Sequence, residues 1–316
     1  MQAILGANGS IGIELAKSLK QYTNDIRLVS RNPQKVNETD QLFPADLTSR
    51  DAVFKAVEGS SVCYVTIGFE YRLKVWQDKW PAFISHVIDA CEANRSRLVF
   101  FDNIYAIGGD HVQHITEQSP FSPSSKKGTI RAALDKQIIK AAELGKIDVI
   151  IARAPDFYGP VKQSSLLMNL VYDNYLKGKP AQWFCNADVP HSFGYTPELA
   201  WGTALLGNTD SAYNEIWNLP VSGAAPTGRE WATIFAEAME VKNKVKVLPA
   251  WMVKALGWFV PVVGEMHEML YQYDRPYVFD SSKFNNAFQY TPMSNEQAVA
   301  ELLQILSTTV QEEVPQ

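Results

Sequence analysis

The sequence predicts an α/β fold: a doubly wound parallel sheet with a smaller mixed α/β region at its C-terminal end. Short apolar runs, typical of strands buried on both faces, alternate with amphipathic stretches of helical period through the first half. A glycine-rich turn follows the first of these runs. After Tyr158 the apolar runs become shorter, and Pro, Trp and Tyr become more frequent. The regular alternation implies a parallel sheet covered by helices.

The elements of the first half follow in order along the chain. The predicted strands are QAILGA, DIRLVS, SVCYVTIG, RLVFFDN and DVIIARAP. The predicted helices between them are Ile11 to Gln21, Arg50 to Glu58, Trp80 to Asn94 and Thr129 to Leu144. We expect one domain at 1–157, with 199–219 packing back onto it near EIWNLPV, and a second region at 158–198 and 220–316.

The composition predicts a soluble, cytoplasmic protein without a nucleic-acid partner. The 316 residues are 46% apolar and 20% charged with a net charge of -5, and no stripe of Lys and Arg is present to bind phosphates. The cysteines are too few and too scattered for a disulfide framework, so we expect reduced thiols. His111 and His114 lack a third ligand at metal spacing, so no metal is expected.

The sequence also predicts no membrane partner. The apolar run at the N-terminus is too short for a signal-peptide core. The most apolar later stretch, Ala250 to Gly264, is broken by Lys254 and Pro261 and is too short to span a bilayer. A docked helix or a pocket wall explains this stretch better.

The segment ILGANGSIGIELAKSL predicts a nucleotide site. Gly6, Gly9 and Gly12 join a strand to an amphipathic helix, with Asn8, Ser10 and Ile11 between them. Glycines suit such a turn because backbone N–H groups must approach a pyrophosphate closely and the helix must pack tightly on the strand. The alternative is a tight turn with a purely structural role.

The end of the second predicted strand, LVSRNPQKV, indicates which dinucleotide is bound. An acidic residue there would bind the ribose hydroxyls of NAD, but Ser30 and Arg31 occupy the place. Arg31 offers a planar, permanent cation suited to the 2′-phosphate of NADP. We therefore expect NADP rather than NAD, the alternative being that Arg31 is an ordinary surface residue.

Several motifs jointly resemble one superfamily over most of the chain. The spacing in GANGSIG resembles the short-chain dehydrogenase/reductase superfamily. FFDNIYAIG, IARAPDFYGP, HSFGYTPELAWGTALL and VFDSSKFNNAFQYTP are similar to motifs of its extended branch, the NAD(P)-dependent epimerase/dehydratase type. The resemblance implies a Rossmann sheet, a nicotinamide dinucleotide and a C-terminal substrate region.

The resemblance further implies a set of cofactor contacts. Asp46 and Leu47 would frame the adenine, and Thr66, Ile67 and Gly68 would pass the ribose and phosphates. The residues that would border the nicotinamide are Ala154, Pro155, Asp156 and Phe157. Structural roles explain the apolar members of this set equally well.

The catalytic pair of typical members is absent from the predicted place. Such members have a Tyr and a Lys four residues apart on the helix after the fifth strand, and counting back from the next strand gives Gly128 and Ala132. A literal match, Tyr158 to Lys162, lies in a loop past that helix and is rejected as the pair. This chain therefore resembles an atypical member.

The remaining candidates for proton transfer lie around the end of the fifth strand. Tyr105 would donate a proton to a carbonyl oxygen, with Asn103, at the position of the superfamily's Ser, as a hydrogen-bond donor. Arg131 is the candidate cation that lowers the pKa of Tyr105. The alternatives are that Tyr105 packs as an aromatic residue and that Arg131 pairs with Asp102 or Asp156.

An aromatic wall is predicted for the substrate region. Its members are Tyr158, Trp183, Phe184, His191, Phe193 and Tyr195. Such a wall suits an apolar or planar substrate, although each residue alone is equally a core residue. His191 is either an acid or base or an ordinary hydrogen-bonding residue.

Two functions are compatible with these patterns. One is an NADP-dependent oxidoreductase or epimerase-like enzyme that acts on a small carbonyl-type substrate by hydride transfer. The other is a non-catalytic NADP(H)-binding sensor, an interpretation that the missing Tyr and Lys favour. A homodimer is the default expectation for assembly.

Overall fold

The computed structural model describes residues 1–161 and 165–312, in an alternating order of strands and helices. The strands are β1 Gln2–Leu5, β2 Ile26–Ser30, β3 Gln41–Pro44, β4 Val62–Val65, β5 Arg97–Asn103, β6 Val149–Ala154, β7 Asp156–Tyr158, β8 Ala181–Phe184, β9 Phe193–Tyr195, β10 Glu215–Asn218 and β11 Val245–Leu248. The α-helices are α1 Ser10–Leu19, α2 Arg50–Val57, α3 Leu73–Asn94, α4 Lys126–Glu143, α5 Asp173–Leu176, α6 Thr196–Gly207, α7 Gly228–Ala238, α8 Ala250–Leu256, α9 Pro261–Met266, α10 Ser282–Phe288 and α11 Asn295–Glu312. A π-helical turn at Met168–Tyr172 and short 3₁₀ turns complete the described elements.

The chain divides into two compact units. The first unit comprises Met1–Gly109, Glu117–Ala154 and Pro197–Leu219. The second unit comprises Asp110–Thr116, Pro155–Thr196 and Pro220–Gln316.

Over the described residues, the first unit contains a sheet of seven parallel strands in the order β10-β6-β5-β4-β1-β2-β3. The chain builds outward from β1 through β2 to β3, then crosses to β4 on the other side of β1. This reversal places a crevice at the carboxyl ends of β1 and β4, where open α/β sheets bind ligands. The predicted fold class is confirmed.

Two elements of this unit differ from the sequence prediction. Strand β3 was missed because its side chains are mostly exposed at the edge of the sheet, so it has no buried apolar run; Pro44 is tolerated at an edge. Helix α3 begins at Leu73, nearly two turns before the predicted start, although Pro81 lies inside it. Burial of Trp76 and Trp80 ahead of the proline stabilises these first turns.

One core of the first unit lies between the sheet and helices α2, α3 and α4. Its larger members include Trp80, Phe83 and Phe100. Cys63 on β4 and Cys91 on α3 are buried and reduced within it. Their mutual contact and their burial raise the pKa of the Cys63 thiol well above its usual range.

The second unit has two short parallel strand pairs, β7 with β9 and β8 with β11. They pack with α7 and α11 around an aromatic core that includes Trp183, Trp231 and Phe235. Among the helices described in either unit, none is both long enough and apolar enough to cross a membrane.

Candidate functional site

The turn between β1 and α1 is built by close backbone approach. Gly6 has a φ of +103°, and a Cβ added there would lie 2.5 Å from the backbone of Ile67. A Cβ added to Gly12 would lie 2.5 Å from the Gly6 carbonyl oxygen. Because real atoms do not approach so closely, neither position accepts a side chain on this backbone. The sequence therefore places its glycines where the chain paths of β1, α1 and β4 meet.

The start of α1 is suited to an anion. In the part of the chain that the structure describes, the N-cap residue Gly9 gives no side-chain cap, and the first turn has no acidic residue. The first N–H groups of a helix have no intrahelical acceptor, and the helix dipole is positive at this end. Ser10, Ile11 and Gly12, three of the predicted cofactor contacts, form this first turn.

The segment after β4 lies against the glycine turn. The Thr66 amide donates to the Leu5 carbonyl at 2.9 Å, and its hydroxyl approaches the Gly6 carbonyl at 3.3 Å. Ile67 provides the backbone that excludes a side chain at Gly6. Gly68 has open space where a Cβ would be. The structure thus brings the predicted residues of the glycine turn and of Thr66–Gly68 together at the crevice between β1 and β4.

The loop after β2 is fastened to the same turn. The Asn8 side-chain amide donates to the Asn32 carbonyl at 2.8 Å. Arg31 is exposed, whereas the Ser30 hydroxyl is buried and has no hydrogen-bond partner within the described ranges. The structure therefore brings Arg31 and Asn8 to the edge of the turn.

Asp46 lies in a positive electrostatic environment. Its carboxylate accepts from the backbone and hydroxyl of Thr48 at 3.0 and 2.8 Å, and these bonds lower the pKa of Asp46. Lys79 and Arg31 lower this pKa further through their charges. Leu47, next to Asp46, is buried in the core. Lys79, exposed on α3, was missed because no local pattern connects it with a residue thirty-three positions earlier.

Asn103 and Tyr105 form a turn at the carboxyl end of β5. The Asn103 side-chain oxygen accepts from the Tyr105 amide at 3.0 Å. The half-buried Tyr105 ring stacks on Trp76, with the ring centroids 6.2 Å apart. Trp76 contacts Tyr71, and the Lys127 ammonium lies 4.6 Å from the centre of the Tyr71 ring. Tyr105, Trp76, Tyr71 and Lys127 therefore lie in one continuous row of contacts.

Arg131 belongs to a different group. Its guanidinium is buried, its Nε donates to Asp102 at 2.7 Å, and a second nitrogen donates to the same oxygen. It also lies 4.6 Å from the Trp80 ring and 4.7 Å from the Phe100 ring. The pair with Asp102 is one of the two alternatives that the sequence leaves open. The proposed effect of Arg131 on the pKa of Tyr105 stays a prediction.

A second buried pair lies beside the first. Arg153 on β6 and Asp135 on α4 approach to 4.0 Å, and both are almost fully buried. Burial, followed by the charge of Asp102, raises the pKa of Asp135 well above its usual range. The four residues Asp102, Arg131, Asp135 and Arg153 therefore form one buried cluster of two pairs. Sequence reasoning missed its second pair, because neither residue lies in a recognisable motif.

The position predicted for the missing Tyr cannot hold a side chain. A Cβ added to Gly128 would lie 2.2 Å from the Tyr105 carbonyl oxygen. Lys127 and Arg131 each lie one position before the predicted places, four residues apart on α4, and both are buried. The buried Lys127 was not predicted as a site residue. The literal match is not informative, since Lys162 lies outside the described residues.

In the second unit, Asp156 is held from two sides. Its Oδ2 accepts from the Tyr273 hydroxyl at 2.5 Å and lies 3.1 Å from the His191 Nε2. The His191 ring is sandwiched between Tyr273 and Tyr277, with centroids 4.4 and 4.3 Å away. Burial, followed by the charge of Asp156, raises the pKa of Tyr277. The Asp156 side chain remains one-fifth exposed, so this arrangement fixes one carboxylate oxygen.

The other predicted residues of the nicotinamide and substrate regions are placed as follows. Ala154 ends β6 in the first unit, whereas Pro155, Asp156 and Phe157 lie in the second. The aromatic residues of the predicted wall are buried in the core of the second unit: Tyr158, Trp183, Phe184, Phe193 and Tyr195. Trp183 touches His191 edge to face. Among the described residues, no group of three or more His, Cys, Asp or Glu side chains has the arrangement of a metal site.

Comparison with solved structures shows the same fold over nearly the whole chain. The UDP-glucose 4-epimerase of Thermus thermophilus in complex with NAD has a TM-score of 0.76 at 16% identity, covering 97% of this chain and 99% of that one. A double mutant of the Streptomyces venezuelae dTDP-glucose 4,6-dehydratase DesIV, with NAD and DAU bound, has a TM-score of 0.81 at 15% identity, covering 99% and 98%. The dTDP-glucose 4,6-dehydratase of Bacillus anthracis str. Ames, in complex with NAD, has a TM-score of 0.79 at 14% identity, covering 98% and 97%.

A search of curated proteins gives no match. The sequence profile of the NAD dependent epimerase/dehydratase family, in contrast, matches residues 3–219, more than half of the chain. The resemblance found in the sequence motifs is confirmed. The chain therefore belongs to the NAD dependent epimerase/dehydratase family of enzymes.

Proposed function

We propose that this chain is an NADP-dependent oxidoreductase or epimerase-like enzyme that acts on a small carbonyl-type substrate. The carrying observation is the crevice at β1 and β4, where Gly6 and Gly12 let the backbones of β1, α1 and β4 approach closely and α1 begins without an acidic residue in its first turn. The solved relatives named above carry NAD, which supports a nicotinamide dinucleotide in this crevice.

Two cations support NADP over NAD. Arg31 follows β2 where a carboxylate would bind the ribose hydroxyls of NAD. Lys79 and Arg31 both act electrostatically on Asp46, so each lies within range of this part of the surface. Both cations favour a 2′-phosphate on this part of the surface over the hydroxyl of NAD.

Fluorescence titration with NADPH and NADH tests this preference. We expect tighter binding of NADPH, and about a tenfold weaker affinity for NADPH in Arg31→Ala and in Lys79→Ala. The affinity for NADH should not change in either variant. Arg229→Ala, an exposed arginine of the second unit, is the matched control and should bind both cofactors like wild type. Preference for NADH that persists in Arg31→Ala contradicts the proposal.

When bound, the reduced dinucleotide would supply the hydride for the carbonyl carbon. The chain must then deliver a proton to the carbonyl oxygen to complete the alcohol. We assign this proton to Tyr105, with Asn103 as its neighbour at the carboxyl end of β5. Arg131 is committed to Asp102 in the core, and the buried Lys127 contacts the Tyr71 ring, which Trp76 separates from Tyr105.

The assignment is tested by NADPH consumption over a panel of aldehydes, ketones and 4-keto sugar nucleotides. Tyr105→Phe keeps the stack on Trp76 and removes the hydroxyl, so kcat should fall about 100-fold or more with little change in NADPH affinity. Full activity in Tyr105→Phe rules out Tyr105 as the donor.

We assign the predicted substrate contacts to Asp156 and the residues around it. Since Oδ2 of Asp156 is fixed by Tyr273 and His191, the carboxylate is oriented to accept a hydrogen bond from a substrate hydroxyl. His191 acts through Asp156 as a positioning residue, and Trp183 and Phe193 contact its ring, with Tyr158 in the same core. Asp156→Asn should raise KM more than it lowers kcat. An equal fall in kcat and in kcat/KM contradicts this role.

A sensor remains the second candidate, because Gly128 excludes a tyrosine and Arg131 is committed to the core. A sensor binds NADPH in the titration above but consumes none over the panel. Equal NADPH affinity in wild type and Tyr105→Phe, with no turnover in either, favours this function.

A further inference from the structure

The hairpin formed by α8 and α9 in the second unit exposes an unusual amount of apolar surface. Trp258 and Phe259, at its tip, are 79% and 83% exposed, and Val260 beside them is 42% exposed. Trp251 and Leu256 on α8 are also exposed, at 68% and 43%. Large apolar side chains so close together on a surface usually mark an interaction site. We call these five residues the apolar tip.

The hairpin is folded and packs on the core of the second unit. Gly257 and Gly264 pack so closely that a Cβ on Gly257 would lie 2.6 Å from the Gly264 Cα. Val253 on α8 is fully buried, and Met252 and Val263 pack partly buried against the same core. Helix α8 therefore carries apolar side chains on its exposed side as well as on the side that the protein buries.

The backbone N–H groups of the tip are satisfied internally. The amides of Gly257, Trp258 and Phe259 donate to carbonyls of α8, and so does that of Val260, at 2.9 to 3.3 Å. The next residue, Pro261, has no N–H group. N–H groups that enter the apolar part of a bilayer need such partners, because lipid tails offer no hydrogen bonds.

The charge of the same segment is one-sided. Residues 241–264 contain four lysines and no acidic residue, whereas the whole chain has a net charge of -5. Lys242, Lys244 and Lys246 are exposed just before α8, and Lys254 is exposed on α8 itself. Lysines beside exposed Trp and Phe are the chemistry of a surface that binds anionic lipid headgroups while aromatic rings enter the interface.

We propose that the apolar tip docks this protein on the surface of an anionic phospholipid bilayer. Trp258 and Phe259 enter the interface, Trp251 lies at the headgroup level, and the four lysines contact the anionic headgroups. The contact is peripheral and does not involve a spanning helix. It departs from the sequence-based expectation of no membrane partner, and it is independent of the cofactor and the substrate.

Vesicle sedimentation of the full chain tests this proposal. The two probes are vesicles of phosphatidylcholine alone and vesicles with about one third phosphatidylserine. We expect binding to the second kind and at least about tenfold weaker binding to the first. Binding should weaken as the salt concentration rises, because the lysine contacts are screened.

Two variants separate the apolar and charged parts. Trp258→Ser/Phe259→Ser should lose about tenfold or more of the affinity for phosphatidylserine vesicles. The matched control is Leu144→Ser/Leu176→Ser, which removes exposed apolar side chains elsewhere and should bind like wild type. Replacing Lys242, Lys244 and Lys246 by Gln should abolish the preference for phosphatidylserine. Equal thermal melting of all four proteins shows that the fold is retained.

Three results overturn the proposal. The first is absence of binding to either kind of vesicle, and the second is equal binding by wild type and Trp258→Ser/Phe259→Ser. The third is a concentration-dependent dimer, seen by light scattering, that disappears in Trp258→Ser/Phe259→Ser without any vesicle binding. That third result assigns the apolar tip to a second copy of this chain.

Discussion

The glycine turn after β1 and helix α4 are both parts of the first unit, but different forces fix them. The turn is fixed by backbone contacts, with Gly6 and Gly12 too close to their neighbours for any side chain. Helix α4 is fixed by side-chain charges, with Arg131 paired to Asp102 and Asp135 beside Arg153. A backbone contact accepts no replacement, whereas a buried ion pair is replaceable if both partners change together. The two regions should therefore respond in opposite ways to single and double substitutions.

Arg131→Met is the substitution with the largest expected effect. It leaves the Asp102 carboxylate buried without its cation. The other carboxylate oxygen of Asp102, Oδ2, already has no hydrogen-bond partner among the described residues. We expect the free energy of unfolding to fall by roughly 3–5 kcal/mol. Urea denaturation measures it.

The double variant Asp102→Leu/Arg131→Met is the control. It should recover most of the lost stability, because no uncompensated charge remains. A double variant as unstable as the single one would show that α4 depends on more than this pair. It would contradict the view that the ion pair is replaceable.

Gly6→Ala should follow in size, with its effect mainly on binding. The added Cβ would meet the Ile67 backbone at 2.5 Å, so the turn must shift away from the pyrophosphate position. We expect NADPH affinity to fall by about 100-fold, or about 2.7 kcal/mol.

Gly59→Ala is a matched control for that substitution. Gly59 has a φ of +72° but nothing within 4 Å of an added Cβ. It should lose on the order of 1 kcal/mol of stability through backbone strain and keep its NADPH affinity. Equal affinity losses in Gly6→Ala and Gly59→Ala would show that close approach is not what the turn requires.

The pH dependence of stability tests the contribution of Asp135 to α4. The pKa of Asp135 is raised by burial and by Asp102, against the opposite effects of Arg153 and Arg131. A raised pKa means that the folded state holds the proton more tightly. The resulting stability is complete below the unfolded pKa and is lost as the pH rises through the folded value, by up to about 1.4 kcal/mol per pH unit.

Asp135→Asn should remove this part of the slope in urea denaturation between acidic and neutral pH. Asp78→Asn, an exposed aspartate paired with Lys74, should leave the slope unchanged. An identical pH profile in wild type and Asp135→Asn would mean that Asp135 does not titrate in this range.

The smallest expected effect is at the start of α4. The Ser125 side chain accepts from the Gly128 amide at 2.9 Å in a buried setting. Ser125→Ala should cost about 1 kcal/mol. Ser49→Ala at the start of α2, where the bond is 3.5 Å long and exposed, should cost less in the same denaturation assay. A larger loss at Ser49 would contradict the role given to burial.

The same contrast explains how much the sequence predicts. The central strands and the glycine turn are visible because each depends on a local pattern, an apolar run or a glycine spacing. The edge strand β3 has no such run, and the early start of α3 depends on aromatic packing across the unit.

The candidate active site is less visible for a physical reason. The partners of Lys127, Arg131 and Asp135 come from other strands and helices, so no spacing along the chain predicts them. Counting back from β6 gave Gly128, but the carbonyl of Tyr105 occupies the space beside it. The orientation of Asp156 by Tyr273 likewise depends on residues more than a hundred positions apart.

The buried thiols Cys63 and Cys91 have a practical consequence. Because contact and burial hold the Cys63 thiol in its protonated form, an alkylating reagent can modify this pair only when β4 and α3 separate. Cys185 in the second unit is partly exposed, although its pKa is raised to about 11. The rate at which Cys63 and Cys91 are labelled would therefore time the opening of the first unit, without an introduced probe.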